Sequence, residues 1–174
     1  DIPAPDVNTD ARIMGWIMDT YSMFKGYAVP GVVTGKPIEI GGSLGRKEAT
    51  GLGVSIITDE IALRYGISMQ KAKIAVQGFG NVGGTAAQLF YKKGYSVVAV
   101  SDANNGIYNE KGLNIEELVK YVARNKTIKG YSEKGSKNIT NEELLTLKVD
   151  ILVPAALENQ ITFEITREVN ARII

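Results

Sequence analysis

The chain has 174 residues and a formal net charge of +1, because 20 Lys and Arg face 19 Asp and Glu. This balance gives no general electrostatic reason to expect nucleic acid or an anionic membrane as a partner. The absence of Cys and His excludes disulfides, thiolate nucleophiles, imidazole bases and ordinary zinc sites, and we predict no metal site.

The first part of the chain predicts two helices joined by an irregular loop. Two prolines keep segment 1–9 extended, as in a connector between domains. Asn8 or Thr9 is predicted to cap a helix that ends at Gly26. The following stretch contains too many glycines for a regular element, so we expect a loop that leads into a second helix at about 48–66.

From residue 73 onward, strand and helix patterns alternate. The predicted elements are a strand (KIAVQG), a helix (NVGGTAAQLFYKKG), a strand (SVVAVSD), a short strand or turn (GIYNEKGL), a helix (NIEELVKYVARNK), a helix opened by a capping box at Thr140 and Glu143, and a strand (VDILVPAA). This alternation predicts an α/β fold with a Rossmann-like, mostly parallel sheet covered by helices on both faces. The final ARII predicts the start of one more strand, so we expect the sheet to be truncated at the C-terminus.

A glycine-rich motif, GFGNVG at 78–83, lies between a predicted strand and a predicted helix. In this setting Gly78 can make the turn, Gly80 can let a pyrophosphate approach the backbone, and Gly83 can let the helix lie close to the sheet. The alternative is a tight turn that binds nothing. The context favours a dinucleotide site formed by Gly78, Phe79, Gly80, Asn81, Val82 and Gly83.

Ser101 and Asp102 end the next strand, with Asp102 lying 19 residues after the last glycine, where a carboxylate can accept hydrogen bonds from ribose hydroxyls. Because the Asp102 carboxylate would also repel a 2′-phosphate, it favours NAD as the cofactor. The use of NADP, or of both cofactors, stays open. Asp102 can instead cap the turn that contains Asn104 and Asn105. Lysines 126, 129, 134 and 137 form a basic stretch that is either solvated surface or, as the lesser alternative, a phosphate contact.

Five stretches together resemble the glutamate dehydrogenases, within the Glu/Leu/Phe/Val amino-acid dehydrogenases: DIPAPDVNT, TGKPIEIGGSLGRKEATG, QGFGNVG, VSDANNGIYN and ILVPAALENQIT. The resemblance implies an oxidoreductase that converts glutamate, NAD(P) and water into 2-oxoglutarate, ammonium and NAD(P)H. In that family one domain binds the amino acid and supplies catalytic lysines, and another binds the dinucleotide. Residues 1–174 look like the second domain, with 1–9 as connector, 10–66 as helices and glycine-rich loop, and 73–174 as Rossmann core; the substrate domain is absent.

The resemblance also implies roles for single residues. Asp1 matches the aspartate that moves protons on and off the substrate nitrogen, and Arg46 matches a position close to the bound amino acid. Thr50 matches the residue that hydrogen-bonds the nicotinamide carboxamide. Ala155, Ala156 and Asn159 are expected to lie beside the nicotinamide ring. Each role has an alternative. Asp1 can be a connector residue at a frayed terminus, and Arg46 a surface or ion-pairing arginine. Thr50 can be a threonine at a helix start, and Asn159 a helix cap.

Residues 1–174 are therefore expected to bind a dinucleotide without turning over an amino acid, which would need the missing domain. We expect a homohexameric parent enzyme, a monomer for residues 1–174, and a cytoplasmic location, because no apolar run reaches the length of a membrane span and no secretory signal opens the chain. Two other functions stay open: a stand-alone nucleotide-binding regulatory module, and the coenzyme domain of another amino-acid dehydrogenase.

Overall fold

The computed structural model describes all 174 residues, which divide into two compact units, Asp1–Ala49 and Thr50–Ile174. The first unit contains helix α1 (Ala11–Lys25) and two short 3-10 turns, Pro30–Val32 and Ile38–Ile40. Helix α1 ends as predicted, at a glycine in the left-handed conformation. No helix of the chain combines the length and the apolar character that crossing a membrane requires.

The cap of α1 differs from the prediction, because Asp10 caps the helix instead of Asn8 or Thr9. Asp10 has extended backbone angles, and its carboxylate accepts a hydrogen bond from the Ile13 N–H at 3.0 Å. The Thr9 hydroxyl is already used in the preceding turn, where it accepts from the Asp6 N–H at 2.6 Å. Asn8 is left-handed, with φ 60°, and therefore lacks the extended conformation of a cap.

The second unit is built on a six-stranded sheet in the order β4-β3-β2-β1-β5-β6. Strand β1 pairs in parallel with β2 and β5, and β5 with β6, whereas β3 is antiparallel to both β2 and β4. The predicted α/β fold with a mostly parallel sheet is confirmed. The elements from α2 onward are α2 (Ala49–Arg64), β1 (Lys73–Gln77), α3 (Asn81–Lys92), β2 (Ser96–Ser101), β3 (Gly106–Tyr108), α4 (Ile115–Asn125), β4 (Lys137–Ile139), α5 (Asn141–Leu145), β5 (Val149–Pro154), α6 (Phe163–Thr166) and β6 (Ala171–Ile173).

Two hydrophobic clusters cover the two faces of this sheet. Strand β1 shows the division, because successive side chains point to opposite faces. Ile74 and Val76 join the cluster that includes Ala62 of α2, Phe90 of α3 and residues of α4. Ala75, between them, joins the cluster that contains the leucines of α5. The central parallel strands β1, β2 and β5 are therefore buried on both sides, which explains why they read as continuous apolar runs.

A partly buried polar cluster fixes α2 against the end of α3. The Lys93 ammonium forms an ion pair with Asp59 and donates a hydrogen bond to the Ser55 hydroxyl at 2.6 Å. The Tyr95 hydroxyl donates to the other Asp59 oxygen at 2.8 Å. Because each charged group has a partner, the cluster ties the two helices together without leaving a charge unpaired.

Strand β4 was not predicted. Its first residue, Lys137, is the last lysine of the basic stretch, and only Ile139 is buried, so no alternating pattern marks it. The strand forms because β3 offers an open edge, along which Ile107 pairs with Asn138. The predicted capping box between Thr140 and Glu143 is confirmed at the start of α5.

Two glycines in α2 give a matched test of this packing. A Cβ at Gly51 would lie 2.7 Å from the Thr85 Cβ and 2.9 Å from the Val82 carbonyl oxygen of α3, whereas a Cβ at Gly53 would meet nothing within 4 Å. Gly53→Ala should therefore raise the free energy of unfolding by up to about 1 kcal/mol through helix propensity. Gly51→Ala should lower it by about 1–3 kcal/mol through overpacking.

Urea denaturation of the two variants and the wild type measures both effects. Equal stabilisation by the two substitutions would show that α2 does not lie close to α3 at Gly51.

Candidate functional site

A cavity of about 610 Å³ lies where β1, β2 and β5 end. This is the carboxyl edge of the parallel strands, where open α/β sheets bind ligands, and its volume suits a small molecule or cofactor. The lining residues come from the ends of these strands and the loops after them, from the starts of α3 and α5, and from the end of α4 and the segment that follows it: Gln77, Gly78, Phe79, Gly80, Asn81, Val82, Asp102, Ala103, Val122, Lys126, Thr127, Ile128, Asn141, Ala155, Ala156, Leu157 and Gln160.

The three motif glycines lack side chains for different physical reasons. Gly78 has φ 87°, and a Cβ there would lie 2.3 Å from the Ala155 carbonyl oxygen. A Cβ at Gly83 would lie 1.9 Å from the Gly78 carbonyl oxygen. Gly80 lines the cavity, and a Cβ there would meet nothing within 4 Å. A tight turn with close packing therefore accounts for Gly78 and Gly83, but it gives no reason for Gly80.

Helix α3 begins directly behind this loop. Its N-cap is Gly80, which has extended backbone angles and offers no side chain to cap the helix. The first helical residues, Asn81 and Val82, line the cavity. The positive end of the helix dipole is therefore at the cavity, an arrangement that favours a phosphate or another anion.

Asp102 is held in place by hydrogen bonds to both of its carboxylate oxygens. One oxygen accepts from the Asn104 and Asn105 N–H groups at 2.9 and 2.8 Å. The other accepts from the Thr127 hydroxyl at 2.5 Å and from the Ile128 N–H at 3.0 Å. Partial burial opposes ionisation, but the hydrogen bonds, with that of Thr127 first, outweigh it and lower the pKa of Asp102 to about 2.

The capping alternative for Asp102 is therefore real, and it extends beyond the predicted turn to the segment after α4. Because the pKa of Asp102 is lowered from 3.8, the carboxylate stabilises the fold above about pH 4 and loses that effect as the pH falls toward 2. A carboxylate has about four acceptor positions. A ribose hydroxyl at Asp102 must consequently share or replace one of the existing hydrogen bonds, although the negative charge stays beside the cavity.

Ser101, which was predicted to bind cofactor, is fully buried and does not line the cavity. Its hydroxyl accepts from the Gly78 N–H at 3.4 Å and donates to the Asn141 side-chain oxygen at 2.6 Å. The Asn141 side-chain amide in turn donates to the Asp102 carbonyl at 3.0 Å. Ser101 thus connects the glycine loop to the start of α5 underneath the site.

The sequence did not predict the residues that α4 and α5 contribute to the cavity, nor Leu157 and Gln160 in the segment after β5. Lys126 carried the only signal, as one of the lysines for which a phosphate contact was the lesser alternative. It ends α4 in the left-handed conformation, with φ 61°, and lines the cavity with Thr127. Asn141 and Gln160 carried no local signal.

The other predicted site residues have varied positions. Ala155 and Ala156 line the cavity, whereas Gly83, Thr50 and Asn159 do not. Asn159 is exposed and does not cap α6, since that cap is Thr162. Asp1 and Arg46 are both exposed and belong to the first unit. The roles assigned to these residues stay predictions.

Comparison with known proteins gives close relatives over the whole chain. The glutamate dehydrogenase of Thermotoga maritima is 56% identical over 92% of this chain and 38% of its own length, and glutamate dehydrogenase A2 of Halobacterium salinarum is 50% identical over 100% and 41%. An NAD-specific glutamate dehydrogenase of Peptoniphilus asaccharolyticus is 48% identical over 100% and 42%, and an NADP-specific one of Synechocystis is 45% identical over the same shares. The chain thus spans about two fifths of the length of these relatives.

The fold is also similar to that of a solved glutamate dehydrogenase. The hetero-hexameric glutamate dehydrogenase of Thermus thermophilus, in its leucine-bound form, superposes with a TM-score of 0.90 at 37% identity, over 100% of this chain and 41% of that one. The family model described as glutamate/leucine/phenylalanine/valine dehydrogenase matches residues 41–174. The chain therefore belongs to the glutamate/leucine/phenylalanine/valine dehydrogenase family.

Proposed function

We propose that residues 1–174 are the coenzyme-binding domain of an NAD(P)-dependent glutamate dehydrogenase, and that the cavity at the carboxyl edge of the sheet holds the dinucleotide. The observation that carries this proposal is Gly80, which lines the cavity and has no packing reason to lack a side chain. The sequence relatives named above support the choice of glutamate dehydrogenase within the family.

The residues present fit the chemistry of a dinucleotide. The N-terminus of α3 and the backbone of Gly80 suit the pyrophosphate, and Asp102 suits a ribose that bears hydroxyl groups. The small side chains of Ala155 and Ala156 leave room at the β5 end for a flat ring. Bound NAD(P) would supply a hydride acceptor, while this chain would bind and orient it.

The first test is substitution of the glycine that has no packing role. Gly80→Val should weaken NADH binding about tenfold or more, because a branched side chain would occupy the space that the pyrophosphate needs. Folding stability should fall by no more than about 1 kcal/mol, since a Cβ at this position meets nothing within 4 Å and valine is only a poorer N-cap than glycine. Calorimetric titration of the variant and the wild type measures the affinity, and Gly53→Ala is the control for a glycine substitution outside the cavity. Equal NADH affinities would contradict the proposed site.

The choice between NAD and NADP depends on two charges at the same end of the cavity. The Asp102 carboxylate repels a 2′-phosphate, which favours NAD, whereas Lys126 carries a positive charge that attracts one. The relatives include enzymes named for each cofactor. We propose NAD as the preferred cofactor because the ionised Asp102 carboxylate lines the cavity and is held there by four hydrogen bonds.

Asp102→Asn tests this choice with little change in side-chain volume. The ratio of NADPH to NADH affinity should rise on the order of tenfold at low ionic strength, because the repulsive charge is gone. Thr127→Val is the matched control: it removes a hydrogen bond to Asp102 and lowers stability but keeps the charge, so the ratio should not move. Competition titrations with both cofactors measure the ratio. No shift in Asp102→Asn, or an equal shift in Thr127→Val, would place selectivity elsewhere.

The roles of the whole enzyme are part of the same proposal. Asp1 would transfer protons, Arg46 would lie near the amino acid, and Thr50 would hold the carboxamide of the nicotinamide. The relatives are more than twice as long as this chain, and the family resemblance assigns the catalytic lysines to the other domain. We propose a hexameric parent enzyme, and a monomer for residues 1–174 alone.

Residues 1–174 alone should bind NADH but not oxidise glutamate at a useful rate. Orientation of the substrate against the nicotinamide in a closed cleft supplies several kcal/mol of catalysis, and this chain contains no His or Cys that could replace the missing lysines. Absorbance of reduced nicotinamide, followed with glutamate and NAD, measures turnover, and a binding titration on the same sample shows that the site is intact. Turnover within about a hundredfold of a median enzyme, roughly 10 per second, would contradict this expectation.

A further inference from the structure

Gln77 is the last residue of β1 and lies under the glycine loop, next to the cavity. Its side chain is almost completely buried, with 1% of its surface exposed. A buried amide normally has partners for both its oxygen and its nitrogen, because an unpaired polar atom loses its hydration without compensation. The hydrogen-bond partners of the Gln77 nitrogen and oxygen therefore show whether the protein alone satisfies this amide.

The Gln77 amide nitrogen has a partner. It donates a hydrogen bond at 2.8 Å to the side-chain oxygen of Gln160, which also lines the cavity. The Gln160 nitrogen donates to the Glu158 carbonyl at 3.2 Å. Because a backbone carbonyl can only accept, this second bond fixes which end of the Gln160 amide faces Gln77. Gln77 must then present its nitrogen to Gln160 and direct its oxygen elsewhere.

The Gln77 oxygen has no hydrogen-bond partner, and it is the only buried side-chain nitrogen or oxygen of the chain in this condition. An amide oxygen can only accept. Its missing partner must therefore be a donor, an N–H or an O–H, so an anionic group such as a phosphate oxygen cannot serve.

The position of Gln77 indicates which part of a bound dinucleotide supplies this donor. Asp102 lies at the end of β2, on one side of β1, and the Gln160 partner follows β5, on the other side. A dinucleotide whose adenosine ribose lies at Asp102 and whose pyrophosphate lies at Gly80 places its second nucleoside toward β5. That nucleoside carries two kinds of donor, the ribose hydroxyls and the carboxamide N–H₂.

We propose that Gln77, oriented by Gln160, is a binding residue for the nicotinamide riboside half of the cofactor and accepts a hydrogen bond from its hydroxyl or carboxamide donor. This inference rests on the proposed dinucleotide function and adds to it a residue that contacts one half of the ligand only. Gln77 thereby distinguishes the complete cofactor from ADP, which fills the adenosine and pyrophosphate positions alone.

The test is Gln77→Met, which keeps a similar volume and removes the acceptor, titrated with ADP, ADP-ribose and NADH. NADH affinity should fall about fivefold to tenfold while ADP affinity stays unchanged. If a ribose hydroxyl is the donor, ADP-ribose affinity falls as well; if the carboxamide is the donor, only NADH affinity falls. Gln88→Met is the matched control, since Gln88 is partly buried on α3, donates to the Gly84 carbonyl and does not line the cavity.

Two results would overturn the proposal. Equal losses for ADP and NADH would show that Gln77 supports the fold of the loop, and unchanged affinities for all three ligands would show that a buried water satisfies the oxygen. Failure of the proposed function gives a different result, because the wild type would then bind neither ADP nor NADH.

Discussion

The tight turn between β1 and α3 depends on glycine, which has no side chain, at positions 78 and 83. The Gly78 carbonyl oxygen occupies the space that a Cβ at Gly83 would need, and the Ala155 carbonyl oxygen occupies the space of a Cβ at Gly78. These two approaches hold α3 and β5 against the end of β1. The N-terminus of α3 consequently meets the carboxyl edge of the sheet at a short distance, and the cavity forms in front of it. Any side chain at either glycine would push these elements apart.

A series of hydrogen bonds between polar groups then connects the neighbouring loops to this turn. Ser101 accepts from the Gly78 N–H and donates to Asn141, and Asn141 donates to the Asp102 carbonyl. The Asp102 carboxylate continues the series to Thr127 beyond α4. One acid is therefore both a structural tie for two loops and the negative charge beside the candidate ribose position. This double role explains why its substitution must be compared with a neutral change at Thr127, which disturbs the tie alone.

The sequence predicted those parts of the fold that local patterns determine. The strand, helix and strand around the glycine motif follow from apolar runs and from Gly94, which is left-handed just after α3. The motif also identified the loop that lines the cavity. The prediction of the α1 cap was wrong because the Thr9 hydroxyl is used in the turn with Asp6, which leaves Asp10 to cap the helix.

Other parts of the site depend on residues that are distant in the sequence. Gln77 and Gln160 are 83 positions apart, and Ser101 and Asn141 are 40 apart, so only the completed sheet brings each pair together. The three residues of β4 become a strand only because the edge of β3 is available. A single sequence contains no periodicity that could reveal such contacts.

The central claim, that the glycine loop and the ends of β2 and β5 form one dinucleotide site, is tested most directly by backbone amide NMR of the ¹⁵N-labelled chain titrated with NADH. The account predicts that the largest shifts occur at residues 78–83, 102–105 and 155–157. A second cavity, at the opposite edge of the sheet and lined by residues 94–97 and 111–114, provides the internal comparison. Shifts concentrated there, with the glycine loop unaffected at saturating NADH, would contradict the account.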